Sequence, residues 1–196
     1  MLKGKKIGFG ITGSFCSMDD MLEVLKQLVE NGCEVYVFIS QSIDKFDTRF
    51  NQANDLMNKI KELINIPIIT SIVEAEKFGP ILPLDLMVVY PCTSNTLAKL
   101  VHGINDNAVT MACKGTLRNN KNVVLGVYTN DALATSGVNL MTIANRKNYY
   151  LVPMIQDAPV IKPFSLLANP KRFIKTIGWA LENKQVQPLF EGEIND

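Results

Sequence analysis

The sequence predicts a three-layer α/β domain: a doubly wound parallel sheet of six strands in the Rossmann-like order 3-2-1-4-5-6, with helices on both faces. Three observations carry that prediction. Short apolar runs recur along the 196 residues, most of them stop at small polar residues or proline, and the stretches between them carry apolar residues at helical spacing. Strands buried on both faces read as continuous apolar runs rather than alternating ones, so the pattern favours parallel strands joined by right-handed crossovers.

Residues 6–11 form the first expected strand, an apolar run that follows a basic cluster and stops at Thr12, Gly13 and Ser14. A helix should begin at Met18: Met21, Leu22, Leu25, Leu28 and Val29 share one face, Ser17 offers an N-cap, Asp19 and Asp20 suit the positive helix end, and Gly32 suits the stop. The second strand, residues 34–39, ends at Ser40, Gln41 and Ser42, and a helix over 48–64 follows. Residues 66–70 read as a brief third strand at a sheet edge, because Pro67 cannot donate a ladder hydrogen bond. The fourth strand, residues 84–90, is stopped by Pro91 and followed by helices over about 94–103 and 106–118. A fifth strand at 123–128, a helix over 132–147 and a sixth strand at 149–152 complete the alternation. Pro153, Pro159 and Pro163 then lead to a closing helix near 170–184, with a frayed tail from Gln185. One domain over 1–196 is the expectation, since this length suits a single core.

Composition excludes several function classes. Twenty basic residues against 19 acidic ones leave no one-sign field, so nucleic-acid binding is not indicated. The four cysteines, Cys16, Cys33, Cys92 and Cys113, lie far apart with one histidine, His102, and this argues against a metal site. No apolar run reaches the roughly 18 to 20 residues of a membrane span, and the start of the chain is too poor in apolar residues for a signal peptide. A cytoplasmic protein with reduced thiols is expected.

Ligands of such sheets bind outside the carboxyl ends of the strands, where the chain order reverses, here between the first and fourth strands. Gly8, Gly10 and Gly13 formally match G-x-G-x-x-G, which is weak alone because glycines also permit close packing. A ribose-binding site needs an acidic residue after the second strand, but Ser40 and Ser42 stand there. Hydroxyls suit a terminal phosphate better, and Thr12, Ser14 and Ser40 with the backbone N–H groups around Gly13 can hold one. The other loop, residues 91–96, carries Cys92, Thr93, Ser94, Asn95 and Thr96, and reads either as an elaborate helix cap or as a ligand loop facing the first.

At Gly10-Ile-Thr-Gly-Ser14, Ser40 and Pro91-Cys-Thr-Ser-Asn-Thr-Leu-Ala-Lys-Leu100 the sequence resembles the flavoprotein family that includes cysteine decarboxylases and flavin prenyltransferases, a likeness extending through Val152-Pro153-Met154. The resemblance implies bound FMN. Gly10, Thr12, Gly13, Ser14 and Ser40 would surround its phosphate, with Thr93, Ser94, Asn95 and Thr96 beside the isoalloxazine and ribityl groups. Tyr128, standing where prenyltransferase relatives have an arginine, is a further candidate contact. A narrower likeness within the family implies an oxidoreductase component acting on a small anionic dicarboxylate with a nucleotide-binding partner subunit. It also implies a homo-oligomer, a trimer or a multiple.

Departures from the family limit its other activities. No histidine lies between Gln41 and Val101, where decarboxylases carry a catalytic one, and Arg118 and Lys121 are all that stands for the prenyltransferase basic cluster. The alternative functions are a flavin-dependent decarboxylase and a non-catalytic assembly subunit. The segment 153–163 takes the place of a substrate-covering loop, with Lys162 either facing an anionic substrate or solvated. Cys92 reads as a buried thiol or a helix-start nucleophile, Cys16 likewise; His102 reads as a packing or surface residue, and Trp179 as core or oligomer contact.

Overall fold

The structure, a computed structural model, describes residues 2–14, 17–40, 53–156 and 158–192. Strands β1 (Lys6–Ile11), β2 (Glu34–Ile39), β3 (Leu86–Cys92), β4 (Asn122–Thr129) and β5 (Tyr149–Leu151) run parallel in the order β2-β1-β3-β4-β5. The segment expected as a third strand contributes a single parallel bridge: Ile69 N–H donates to the Val37 carbonyl at 2.8 Å and Ile39 N–H to the Ile69 carbonyl at 3.0 Å. Pro67 has no N–H with which to extend that ladder. Counting this bridge, the parallel part follows 3-2-1-4-5-6, and the order reverses between β1 and β3.

Alternate residues of the strands feed two cores. Ile7, Phe9, Ile11, Val88 and Tyr90 face α1 (Met18–Glu30), α2 (Ala53–Leu63) and, near the chain end, α7 (Phe173–Leu181). Met87, Val89, Cys92, Leu125 and Val127 face α3 (Ile72–Glu76), α4 (Ser94–His102), α5 (Ala108–Arg118) and α6 (Gly137–Ala144). On this second face two of the glycines in the first loop have a packing reason. A Cβ on Gly10 would lie 2.7 Å from Val109 Cγ1 and 2.8 Å from Met87 Cε, and one on Gly8 would lie 2.5 Å from Leu84 Cδ1. Bare backbone at these points lets α5 and the strand side chains settle against β1.

Several expectations need correction. β3 does not stop at Pro91 but runs through it to Cys92, with a register shift between Val89 and Cys92 where proline interrupts the ladder. In place of a frayed tail, and on either side of the exposed turns at 158–163, the chain adds β6 (Met154–Gln156), β7 (Leu166–Ala168) and β8 (Phe190–Glu191). β4 therefore forks: Val123 to Leu125 pair with β5, whereas Tyr128 and Thr129 pair antiparallel with β7. The tail is tied down because the Gln185 side chain brackets Leu151, accepting from its N–H at 2.9 Å and donating to its carbonyl at 2.7 Å. Arg172 also meets Glu191 at 2.6 Å. The helix expected over 132–147 is limited to α6, because Asp131 holds the preceding turns by accepting from Thr129 Oγ1 at 2.5 Å and Ser136 Oγ at 2.8 Å. The closing helix ends at Leu181, and residues 170–172 ahead of it form a 3₁₀ turn. The start of the helix expected over 48–64, together with Cys16, Gln41 and Ser42, lies outside the described residues.

Candidate functional site

β1 and β3 are neighbours, so the chain leaving each of them emerges side by side above the sheet. Thr12, 1% exposed, follows the last residue of β1 and joins the two loops. Its Oγ1 donates to the Pro91 carbonyl at 2.6 Å and accepts from the Thr93 N–H at 3.2 Å. Thr93 is the N-cap of α4: its Oγ1 accepts from the Thr96 N–H at 3.3 Å and donates to the Thr96 hydroxyl at 3.2 Å. Ser40 joins from β2, since its N–H donates to the Ile11 carbonyl at 3.1 Å.

A cavity of about 170 Å³ opens between these elements, lined among the described residues by Thr12, Ser40, Thr93, Asn95, Thr96, Lys99, Asp106 and Asn107. Five of the sequence candidates thus meet in one place. The others sit around it. Gly10 is inside β1 under Val109. Gly13 and Ser14 lie in the half-exposed turn ahead of α1, where the Ser14 carbonyl accepts from Ser17 Oγ at 2.9 Å, so Ser17 stands at the cap position of α1 without capping it by its side chain. Ser94 is the half-buried first residue of α4. Tyr128 packs against the opposite core, the one holding Tyr90, and does not line the cavity.

Lys99, Asp106 and Asn107 complete the lining and were not among the sequence candidates. Lys99 stands three residues after Thr96 on α4, a spacing that puts both on one helix face. That signal was available. Asp106 and Asn107 come from the connection to α5, where Asn107 forms a capping box with Thr110, and only the packing of α4 against α5 brings them across. Lys99 Nζ meets Asp106 Oδ2 at 2.6 Å, and this ammonium holds the Asp106 carboxyl below its ordinary range.

The donor set suits an anionic ligand with polar edges. The N–H groups of Ser94 and Asn95 lie in the first turn of α4 and have no partner within the helix, and the exposed Asn95 amide lines the cavity without a hydrogen bond among the described residues. Hydroxyls, an amide, the first-turn backbone donors of α4 and one ammonium match a phosphate ester joined to a polyol and a ring with carbonyl and N–H edges. At about 170 Å³ the cavity is smaller than the roughly 300–1,000 Å³ of pockets that enclose a whole cofactor-sized ligand, and its size suits one end of such a molecule.

Burial makes the two thiols nearest the cavity loops among the described residues, Cys92 and Cys113, poor nucleophiles. Cys92 is fully buried beside the cavity loop, and burial pushes its thiol up to about 12. At pH 8 a disulfide reagent should therefore modify Cys92 only as fast as the native protein opens, and labelling at the rate of a small-molecule thiol would contradict this burial. Cys113 is buried and raised in the same way. His102 is exposed near the far end of α4. Among the described residues no group of three or more His, Cys, Asp or Glu can hold a metal ion, and no helix is long and apolar enough to cross a membrane.

Comparison with known proteins identifies the family. Residues 1–165 match the family model described as Flavoprotein. The chain is 43% identical over 188 residues to the B subunit of dipicolinate synthase of Bacillus subtilis (strain 168), covering 96% of this chain and 94% of that protein. It superposes with a TM-score of 0.90 on the crystal structure of the dipicolinate synthase B subunit from Bacillus halodurans C, at 42% identity and 97% coverage of each chain. The FMN-dependent cysteine decarboxylase SpaF shares the fold at 21% identity, with a TM-score of 0.68 over 93% of this chain and 98% of that one. A strand-end cavity of hydroxyls and first-turn backbone donors on a Rossmann-like sheet, matched along most of its length by one family, makes this chain a member of the flavoprotein family.

Proposed function

We propose that the whole chain, residues 1–196, acts as one FMN-binding domain, the B subunit of a dipicolinate synthase that oxidises dihydrodipicolinate to dipicolinate during bacterial sporulation. The observation that carries this reading is the Thr12 hydroxyl, which joins Pro91 and Thr93 across the switch point and so makes one cradle of two loops. Gly10, Thr12, Gly13, Ser14 and Ser40 would surround the phosphate, with the Lys99 ammonium in the same cavity, while Thr93, Ser94, Asn95 and Thr96 in the first turn of α4 would lie beside the ribityl chain and the polar edge of the ring. Bound FMN supplies a two-electron acceptor, and removal of two hydrogens from the dihydropyridine ring is driven by aromatisation. The protein orients and binds, and its fixed donors need no reorganisation.

Further parts of the reading are the partners and the setting. The A subunit of the dipicolinate synthase is the proposed partner, a small anionic dicarboxylate the substrate, and the cytoplasm the compartment. Because the cavity holds only one end of a flavin, a homo-oligomer, a trimer or a multiple, would complete the ring site from a neighbouring copy. No nucleic acid or membrane takes part. The absence of histidine from 41–101 weighs against the decarboxylase alternative.

Purified protein should show flavin bands near roughly 370 and 450 nm, and Asn95→Ala should weaken FMN binding about tenfold, or about 1.4 kcal/mol. Dipicolinate formation is then compared for the partner by itself, for the partner with this chain, and for the partner with the Asn95→Ala chain. Full activity from the partner with flavin-free protein would leave only an assembly role.

A further inference from the structure

We propose that Lys99 is the residue that selects a phosphorylated flavin over its unphosphorylated counterpart, by exchanging its ion-pair partner Asp106 for the ligand phosphate. The inference rests on the flavin reading above and goes beyond it. Lys99 is the one cation lining the Thr12–Thr93 cavity among the described residues, and Asp106 is the one anion. The two belong to different elements, α4 and the connection to α5, and meet at 2.6 Å.

Asp106 is fixed rather than mobile in this arrangement. Its Oδ2 takes the Lys99 ammonium and its Oδ1 accepts from Asn107 Nδ2 at 3.0 Å. Asn107 in turn is held by the capping box of α5, its Oδ1 accepting from the Thr110 N–H at 3.1 Å. The carboxylate therefore stays where it is when a ligand arrives. The lysine does not have to, because its long stem carries a charge that can swing through several rotamers while α4 remains in place.

Two charges of opposite sign in one small cavity give a defined electrostatic problem. A phosphate monoester brings about −1.5 to −2 charges at neutral pH. Beside an unpaired carboxylate it would be repelled, and beside the intact pair it gains little. Turning the ammonium from Asp106 toward the phosphate leaves the lining neutral in sum but sets the cation nearest the ligand, and the Asn107 amide keeps one hydrogen bond on the carboxylate left behind, which limits the cost of the exchange. Riboflavin presents a neutral hydroxyl at that end and offers the ammonium no comparable gain, so the pair stays closed. The consequence is selectivity for the phosphate and not general flavin affinity.

A simple staple between α4 and the α5 connection is the competing explanation, and the two differ in sign. Binding of FMN and of riboflavin is measured by fluorescence quenching on the full chain for wild type, Lys99→Met, Lys99→Arg and Asp106→Asn, with circular dichroism checking the fold. Lys99→Met should weaken FMN 10- to 100-fold and leave riboflavin within twofold, Lys99→Arg should recover most of the loss, and Asp106→Asn should tighten FMN several-fold because the lysine loses its competing partner. Equal weakening of FMN by Lys99→Met and Asp106→Asn, or an equal effect of Lys99→Met on both ligands, overturns the proposal while leaving the flavin site intact. Wild type that binds neither ligand overturns the flavin reading and this inference together.

Discussion

Replacing Gly126 with alanine is expected to lower the melting temperature by about 6–12 °C, from a loss of roughly 3 kcal/mol at about 2–4 °C per kcal/mol for a chain of this size. Gly126 lies in the middle of β4, and a Cβ there would stand 2.3 Å from Phe173 Cζ and 2.7 Å from Tyr90 Cδ2. Both rings are fully buried and stack against each other at 4.2 Å between centroids, tilted by 45°. Neither has room to rotate away, so α7 must lift from the sheet. Phe173 anchors that helix, and among the described residues the Tyr90 hydroxyl has no hydrogen-bond partner, so little polar contact holds the pair in reserve. Combining Gly126→Ala with Phe173→Leu should return part of the loss, because the offending ring atoms are gone. A melting point within 2 °C of wild type for the single variant would mean that the β4–α7 packing is far looser than these distances state.

How much of this was legible in the sequence differs by residue. The parallel core could be read because each of its strands is a continuous apolar run that needs cover on both faces, and β1 to β4 lie close to where that pattern puts them. The ribbon of β6, β7 and β8 could not. Leu166 to Ala168 is short and flanked by prolines in the chain, and it becomes a strand only because the end of β4 offers an open edge at Tyr128 and Thr129. Gln185 looks like an ordinary polar tail residue until its amide is seen to satisfy both backbone groups of Leu151. Tertiary demand made these segments regular, and local composition carries no trace of it.

The candidate site divides in the same way. Thr12, Ser40, Thr93, Asn95 and Thr96 follow strand ends, and the switch-point rule alone brings strand ends on β1, β2 and β3 together. Gly10 has a packing reason of its own, and a glycine demanded by Val109 and Met87 cannot be told in sequence from one demanded by a phosphate. Tyr128 stands apart for another reason: strand alternation turns it to the face opposite Val127, so it packs with the core of Tyr90 and is not among the residues that line the cavity. Asp106 hides in a helix connection whose polar residues are sufficiently explained by the cap that Asn107 provides.

Thr12→Val should weaken FMN binding by roughly 10- to 100-fold, about 1.4–2.8 kcal/mol, while Thr12→Ser stays within about threefold of wild type. Valine has the shape of threonine without its hydroxyl, so the substitution removes one polar atom and little volume. That atom satisfies two backbone groups at once: the Pro91 carbonyl and the Thr93 N–H would both lose their partner, each at a cost of about 1–3 kcal/mol where it stays dry. The chain can relieve that cost only by moving residues 91–93 outward to water, and this movement carries with it the cap that positions Thr96 and the first turn of α4. The effect on the cofactor is thus transmitted through the loop and does not require Thr12 to touch the ligand. Thr96→Val supplies the comparison, since its hydroxyl receives from Thr93 without bridging the two loops, and its effect should be smaller. If Thr12→Val and Thr12→Ser bind FMN equally well, the hydroxyl bridge does not close the cradle, and the two loops must be held together by the strands beneath them alone.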